Sequence, residues 1–154
     1  QEGHAKVVRQ LIGGDAAVDQ AMTSGVTPLF VTAYSGHVEV VRLLIGGGAA
    51  VNQARIDNGK TPLLIAAQQG HANVVTLLVQ LGADINQCSP AVGWSPLFFA
   101  AWSGHIKVVR ILLAAGADKM AATTADHFDV EAGCTALSIA VRLGYSEVSM
   151  LLSD

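Results

Sequence analysis

Pairs of aliphatic residues recur along this chain at the spacing of a buried helical stripe. Val40-Val41 is followed by Leu43-Leu44, Val74-Val75 by Leu77-Leu78 and Val108-Val109 by Leu112-Leu113, and Leu151-Leu152 closes the series. Residues three and four apart share one helix face, so each group predicts one buried stripe, with Glu39, Arg42, Lys107 and Arg110 on the solvent side. Upstream of each stripe lies a second apolar stretch in constant register. It reads Gly25-Val-Thr-Pro-Leu29, Gly59-Lys-Thr-Pro-Leu63, Gly93-Trp-Ser-Pro-Leu97 and Gly133-Cys-Thr-Ala-Leu137, each running into an alanine-rich segment. Thr27, Thr61, Ser95 and Thr135 offer N-cap hydroxyls. Pro28, Pro62 and Pro96 stand at the first helical position, where the missing N–H costs nothing. The pattern therefore predicts a first helix of about two turns, closed by Gly36, Gly70, Gly104 or Gly144 in the left-handed conformation. A second helix follows and ends at Gly48, Gly82 or Gly116.

A Gly-His pair marks the junction of the two helices in each unit. The copies are Gly3-His4, Gly36-His37, Gly70-His71 and Gly104-His105, with Gly144-Tyr145 as an altered fifth, and the steps are 33, 34, 34 and 40 residues. Such a period is the signature of stacked repeats. A stack offers a long ridged surface rather than one deep catalytic cleft. The expected organisation is a single all-α domain over residues 1–154. Residues 1–21 form a partial repeat, 22–55, 56–89 and 90–129 full repeats, and 130–154 the C-terminal repeat, with a long inserted loop at 119–132.

Composition agrees with a stack. Apolar residues make up 51% of the 154 and charged ones 14%, lean in charge for a solvated surface. No apolar run approaches the roughly 18 residues of a membrane span, so the excess is assigned to surfaces between repeats and no membrane insertion is expected. Net charge is −3, and the 9 Lys and Arg are scattered from Lys6 to Arg142. The basic stripe that nucleic-acid binding needs is absent. Cys88 and Cys134 fall in different repeats and make neither a disulfide framework nor a zinc spacing, which points to a reducing intracellular compartment, cytoplasmic or nuclear. At the N-terminus, Gln1-Glu2 stand where a first helix would end, and Val7, Val8, Leu11 and Ile12 lack a preceding neighbour. Stacks need polar caps. The open face predicts more chain upstream, a partner docked there or a trimmed chain, and a fragment of a longer chain is the expectation.

The ordered series Thr-Pro-Leu, Ala-Ala, Gly-His, Val-Val, Leu-Leu and Gly-Ala-Asp resembles the ankyrin repeat family over essentially the whole chain. Gly82-Ala83-Asp84 and Gly116-Ala117-Asp118 complete it. The resemblance implies an ankyrin-repeat solenoid of L-shaped units, each with two antiparallel helices and a hairpin-like loop. It also implies a protein partner, no chemistry of its own and no cofactor. Where the family carries a histidine after Thr-Pro-Leu, this chain has Phe30, Leu64, Phe98 and Ser138, so apolar packing is expected to replace that histidine's hydrogen bond in the first three copies. The last loop is longer by about six residues, across Lys119 to Ala132.

Candidate chemistry is sparse. A solenoid separates equivalent positions, so His4, His37, His71 and His105 should form a line, each ring bonded to nearby backbone at its turn, rather than a catalytic or metal cluster. Gly13-Gly14 and Gly46-Gly47-Gly48 follow helices and lack a phosphate-loop Lys-Ser or Lys-Thr, so they read as helix terminators. Asp118, Asp126, His127, Asp129 and Glu131 in the inserted loop have cation-ligand chemistry, but their spacing fits no calcium loop, and a solvated acidic finger is expected. Phe128 in its middle is out of place there and should pack back on the stack or touch a partner. Neither cysteine has an adjacent base that would make it a nucleophile. By resemblance, Asn52 and Asn86 occupy the position that asparaginyl hydroxylases modify in some ankyrin proteins, although asparagine is also a common turn former.

The resemblance places partner contacts on the concave side, at the hairpin tips and the two residues before Gly-His. The tips are Thr23, Ser24, Asp57, Asn58, Ala91, Val92, Glu131, Ala132 and Cys134. The candidate contact residues are Val26, Tyr34 and Ser35; Lys60, Gln68 and Gln69; Trp94, Trp102 and Ser103; and Arg142 and Leu143. Both tryptophans of the chain fall in this set, in one unit, and large aromatics concentrate at interface hot spots. The expected function is a non-enzymatic scaffold gripping a protein through a concave face centred on Trp94 and Trp102. The alternatives are the regulatory or targeting arm of a larger enzyme or channel, and a structural linker within a large assembly.

Overall fold

Each Thr-Pro or Ser-Pro step starts a helix because its hydroxyl satisfies a backbone N–H that the first turn leaves without a partner. Thr27 Oγ1 accepts from Phe30 N at 3.1 Å, Thr61 Oγ1 from Leu64 N at 3.2 Å and Ser95 Oγ from Phe98 N at 3.1 Å. The fourth copy has Ala136 where the others have proline. It uses a reciprocal cap instead, in which Ser138 N donates to Thr135 Oγ1 and Thr135 N to Ser138 Oγ. The computed structural model describes residues 18, 19, 21–23 and 25–153. Its helices there are α1 (Pro28–Ser35), α2 (Val38–Gly46), α3 (Pro62–Gln69), α4 (Ala72–Gln80), α5 (Pro96–Trp102), α6 (Ile106–Ala114), α7 (Ala136–Arg142) and α8 (Ser146–Ser153). The expectations for His4, for Val7 to Ile12, for Gly13-Gly14, for Ser24 and for contact through an open N-terminal face lie outside the described residues.

The described residues run as four helix pairs, α1–α2, α3–α4, α5–α6 and α7–α8. The first helices pack on one another in sequence, α1 on α3 on α5 on α7, and more closely than α2, α4, α6 and α8 do. The stripes read from the sequence face the interior: Val41, Val75 and Val109 are fully buried, as are Leu78 and Leu112. Phe30, Leu64 and Phe98, which replace the expected histidine, are buried too, so apolar packing does take over at that position.

The Gly-His ladder joins units rather than closing turns. His71 Nε2 lies 2.8 Å from Tyr34 O, and His105 Nε2 lies 3.0 Å from Gln68 O. The expected local bond is corrected: each ring reaches the carbonyl at the end of the preceding first helix. A carbonyl only accepts, so the proton sits on Nε2. The rings lie so close to Gly36 and Gly70 that a Cβ there would stand 2.8 Å and 2.7 Å from ring atoms. Tyr145 takes the same place against Gly104.

A second line of bonds joins the loops. Asn52 Oδ1 accepts from Asp84 N and Asn86 Oδ1 from Asp118 N, both at 2.9 Å. The hairpins close through Arg55 N to Lys60 O at 3.0 Å and Ser89 N to Trp94 O at 3.0 Å. Ser89 Oγ then donates to Asn58 O of the preceding hairpin at 3.0 Å.

The inserted finger is folded. Buried Thr123 anchors its base, donating from Oγ1 to Glu131 O at 2.7 Å and accepting from Cys134 N at 3.0 Å. His127 and Val130 pair across its tip, and Val130 is buried.

Candidate functional site

The two residues before each Gly-His or Gly-Tyr pair sit at the C-terminal ends of the first helices, or immediately after them. Because those helices pack side by side, Tyr34-Ser35, Gln68-Gln69, Trp102-Ser103 and Arg142-Leu143 form one edge. Tyr34, Ser35, Gln69, Arg142 and Leu143 are exposed, and Gln68, Trp102 and Ser103 are half-buried. The hairpin positions Val26 and Lys60 are also half-buried.

Trp94 departs from its expected place on the surface. It is 2% exposed and offers a partner almost no area. The hairpins close alike at Lys60 O and Trp94 O, but the broad apolar indole gains by leaving water where the charged Lys60 does not. The Trp94 ring centroid lies 5.2 Å from Phe98, 5.1 Å from Phe99 and 5.5 Å from Trp102. The finger completes the cluster, with the His127 ring edge-on to Trp94 at 5.5 Å. Within it the indole N–H is buried and has no hydrogen-bond partner. Trp94 thus supports Trp102 from beneath.

Above this cluster lies a cleft of about 200 Å³, lined by Asn58, Lys60, Gln68, Ser89, Ala91, Val92, Trp94, Phe99, Trp102, His127 and Phe128. It brings together Lys60, Gln68, Trp94 and Trp102 from the expected contact set and leaves Val26, Tyr34, Arg142 and Leu143 elsewhere on the surface. Sequence reasoning did not assign Phe99, His127 or Phe128 to the site. Phe128 carried a signal, an aromatic within an acidic loop; Phe99 looked like any core residue of α5, and His127 like part of a solvated loop. Phe128 does not bury itself on the stack: it is 80% exposed, with its ring 4.1 Å from that of His127.

The remaining candidate chemistry is structural. Asp126 Oδ1 accepts from Ala132 N at 2.8 Å and so shapes the finger. Among the described residues no three His, Cys, Asp or Glu side chains converge as metal ligands. Cys88 is half-buried, and burial, then the negative charges of Asp118 and Asp84, push its thiol above the ordinary range. The thiolate is the nucleophile, so at pH 8 Cys88 should be alkylated by iodoacetamide more slowly than free cysteine. Mass spectrometry of the Cys88 peptide over time measures this, and alkylation as fast as the free amino acid would contradict it.

A family model of ankyrin repeats in three copies matches residues 1–89, 57–123 and 88–154. The chain belongs to the ankyrin repeat family. A comparison with curated proteins found no match. Ankyrin repeats are in general protein–protein interaction modules and typically lack catalysis. No helix among the described residues is long and apolar enough to cross a membrane.

Proposed function

We propose that this ankyrin-repeat chain is a non-enzymatic scaffold that grips a protein through the edge running from Tyr34 to Leu143, with Trp102 as its anchor. The observation that carries the proposal is the half-buried Trp102, held against Trp94 and lining a cleft whose rim is an exposed phenylalanine. A pre-formed aromatic platform loses little conformational freedom on binding, which is how a stiff repeat surface gains affinity. Arg142 and Leu143 extend the contact along the same edge, and the setting is intracellular.

Affinity capture from native extract, comparing the wild type with Trp102→Ala, tests the proposal. Truncating a central aromatic anchor should weaken a specifically retained protein by about 2 kcal/mol, roughly thirtyfold in Kd, while the far-UV circular dichroism stays unchanged. Undiminished retention by the variant would remove Trp102 from the interface.

A further inference from the structure

The cleft under the finger contains a charged hydrogen-bond donor with unused capacity, Lys60. Lys60 Nζ donates to Gln68 Oε1 at 2.9 Å and stands 4.8 Å from the Phe99 ring centroid. It makes no ion pair among the described residues. The nearby Asp57 carboxylate is taken by Arg55, whose Nε donates to Oδ1 at 2.9 Å and whose Nη2 donates to Oδ2. Trp94 lines the same cleft, with its indole N–H buried and without an acceptor. Burial pulls Lys60 below the ordinary lysine range, helped by Arg55 and opposed by Asp57.

We propose that this cleft receives an Asp or Glu side chain of an extended partner segment, its carboxylate pairing with Lys60 and an adjacent apolar side chain packing between Trp102 and Phe128. The inference rests on the protein-binding reading above and names the partner's chemistry. A carboxylate is an acceptor-only anion and makes its strongest bonds with charged donors. A partner lysine or arginine would meet the Lys60 charge instead. A neutral side chain would bury Lys60 further without compensation, which is costly. At about 200 Å³ the cleft admits one or two side chains, not a folded surface. The rim fits a clamp: Phe128 is 80% exposed and has φ 53°, a left-handed conformation rare for a bulky residue. Strained backbone of this kind clusters at ligand clamps and switch regions.

Panning the whole chain against a random heptapeptide phage library tests the inference. The wild type should enrich sequences with Asp or Glu beside an aromatic or aliphatic residue. A synthetic peptide from that pool should lose about tenfold in affinity when its acid becomes the amide, the scale of a lost close charge pair. Lys60→Met should lose the same about tenfold towards the acidic peptide and bind acidic and amide forms equally. Lys60→Arg should retain the preference. Lys60→Gln serves as a second uncharged variant should Lys60→Met fail to fold, as judged by circular dichroism and thermal midpoint. Enriched peptides without an acid, or an acid-to-amide difference that survives both uncharged variants, would overturn the inference. If such peptides still depend on Trp102, the protein-binding surface stands and only its proposed chemistry falls. If no peptide is enriched, or none is weakened by Trp102→Ala, both fall.

Discussion

Trp94→Ala is expected to lower the free energy of unfolding by about 3–5 kcal/mol, the cost of truncating a large buried aromatic. The ring fills the gap between the hairpin, α5 and the finger, so its loss leaves Phe98, Phe99, Trp102 and His127 facing a void. A domain of this size has roughly 5–15 kcal/mol in all, so the variant should unfold at clearly lower urea, and in a stack whose units contact only neighbours the third and fourth pairs should loosen first. Trp94→Phe should stay within about 1–2 kcal/mol of the wild type. It keeps most of the buried ring and removes an N–H that has no partner, and a buried polar group without a bond is itself costly. Urea unfolding followed by circular dichroism measures both. A loss below about 1 kcal/mol for the alanine variant would mean that the ring is not part of the core.

Gly59→Ala should cost about 2–4 kcal/mol, through two separable causes. Gly59 has φ 65°, a left-handed conformation that costs an alanine roughly 1 kcal/mol or more. An added Cβ would also stand 2.2 Å from Pro90 Cδ and 2.6 Å from Pro90 Cγ. The proline ring is rigid, so the hairpins would have to part, straining the bond from Ser89 Oγ to Asn58 O. Overpacking of this kind costs about 1–3 kcal/mol. Pro90→Ala removes both clashing atoms and leaves Pro90 N at 3.5 Å, an ordinary contact. The double variant should therefore recover the steric part and keep only the backbone part. Strict additivity of the two single variants in a double-mutant cycle would show that the hairpins do not stack as described.

These two positions mark how far the chain could be read unaided. Both are hairpin positions in the Gly-X-Thr-Pro register, and the register itself was legible. Thr61 caps, Pro62 starts the helix, Gly70 closes it, and Val74, Val75 and Leu78 face inward, because each of these depends on residues within one or two turns of it. The replacement of the expected histidine by buried Leu64 and Phe98 was legible for the same reason. The side chain at X was not. Val26, Lys60 and Trp94 share one backbone setting, yet Lys60 is half-buried over Phe99 and Trp94 is in the core, since side-chain polarity and the neighbouring unit decide which way each turns. The reach of His71 and His105 to the previous unit was hidden likewise, because their acceptors, Tyr34 O and Gln68 O, lie a full repeat away along the chain.

By itself the sequence determined the unit, its caps and stripes, and the family. Periodicity and capping are local, and each repeat states them again. Only the tertiary structure decided that Trp94 is buried beneath a half-buried Trp102, and that a finger more than twenty residues further along supplies His127 and Phe128 to the same cleft. Those are contacts between segments distant in sequence, set by how hairpins stack and how much volume they leave, and no pattern within one repeat encodes that volume.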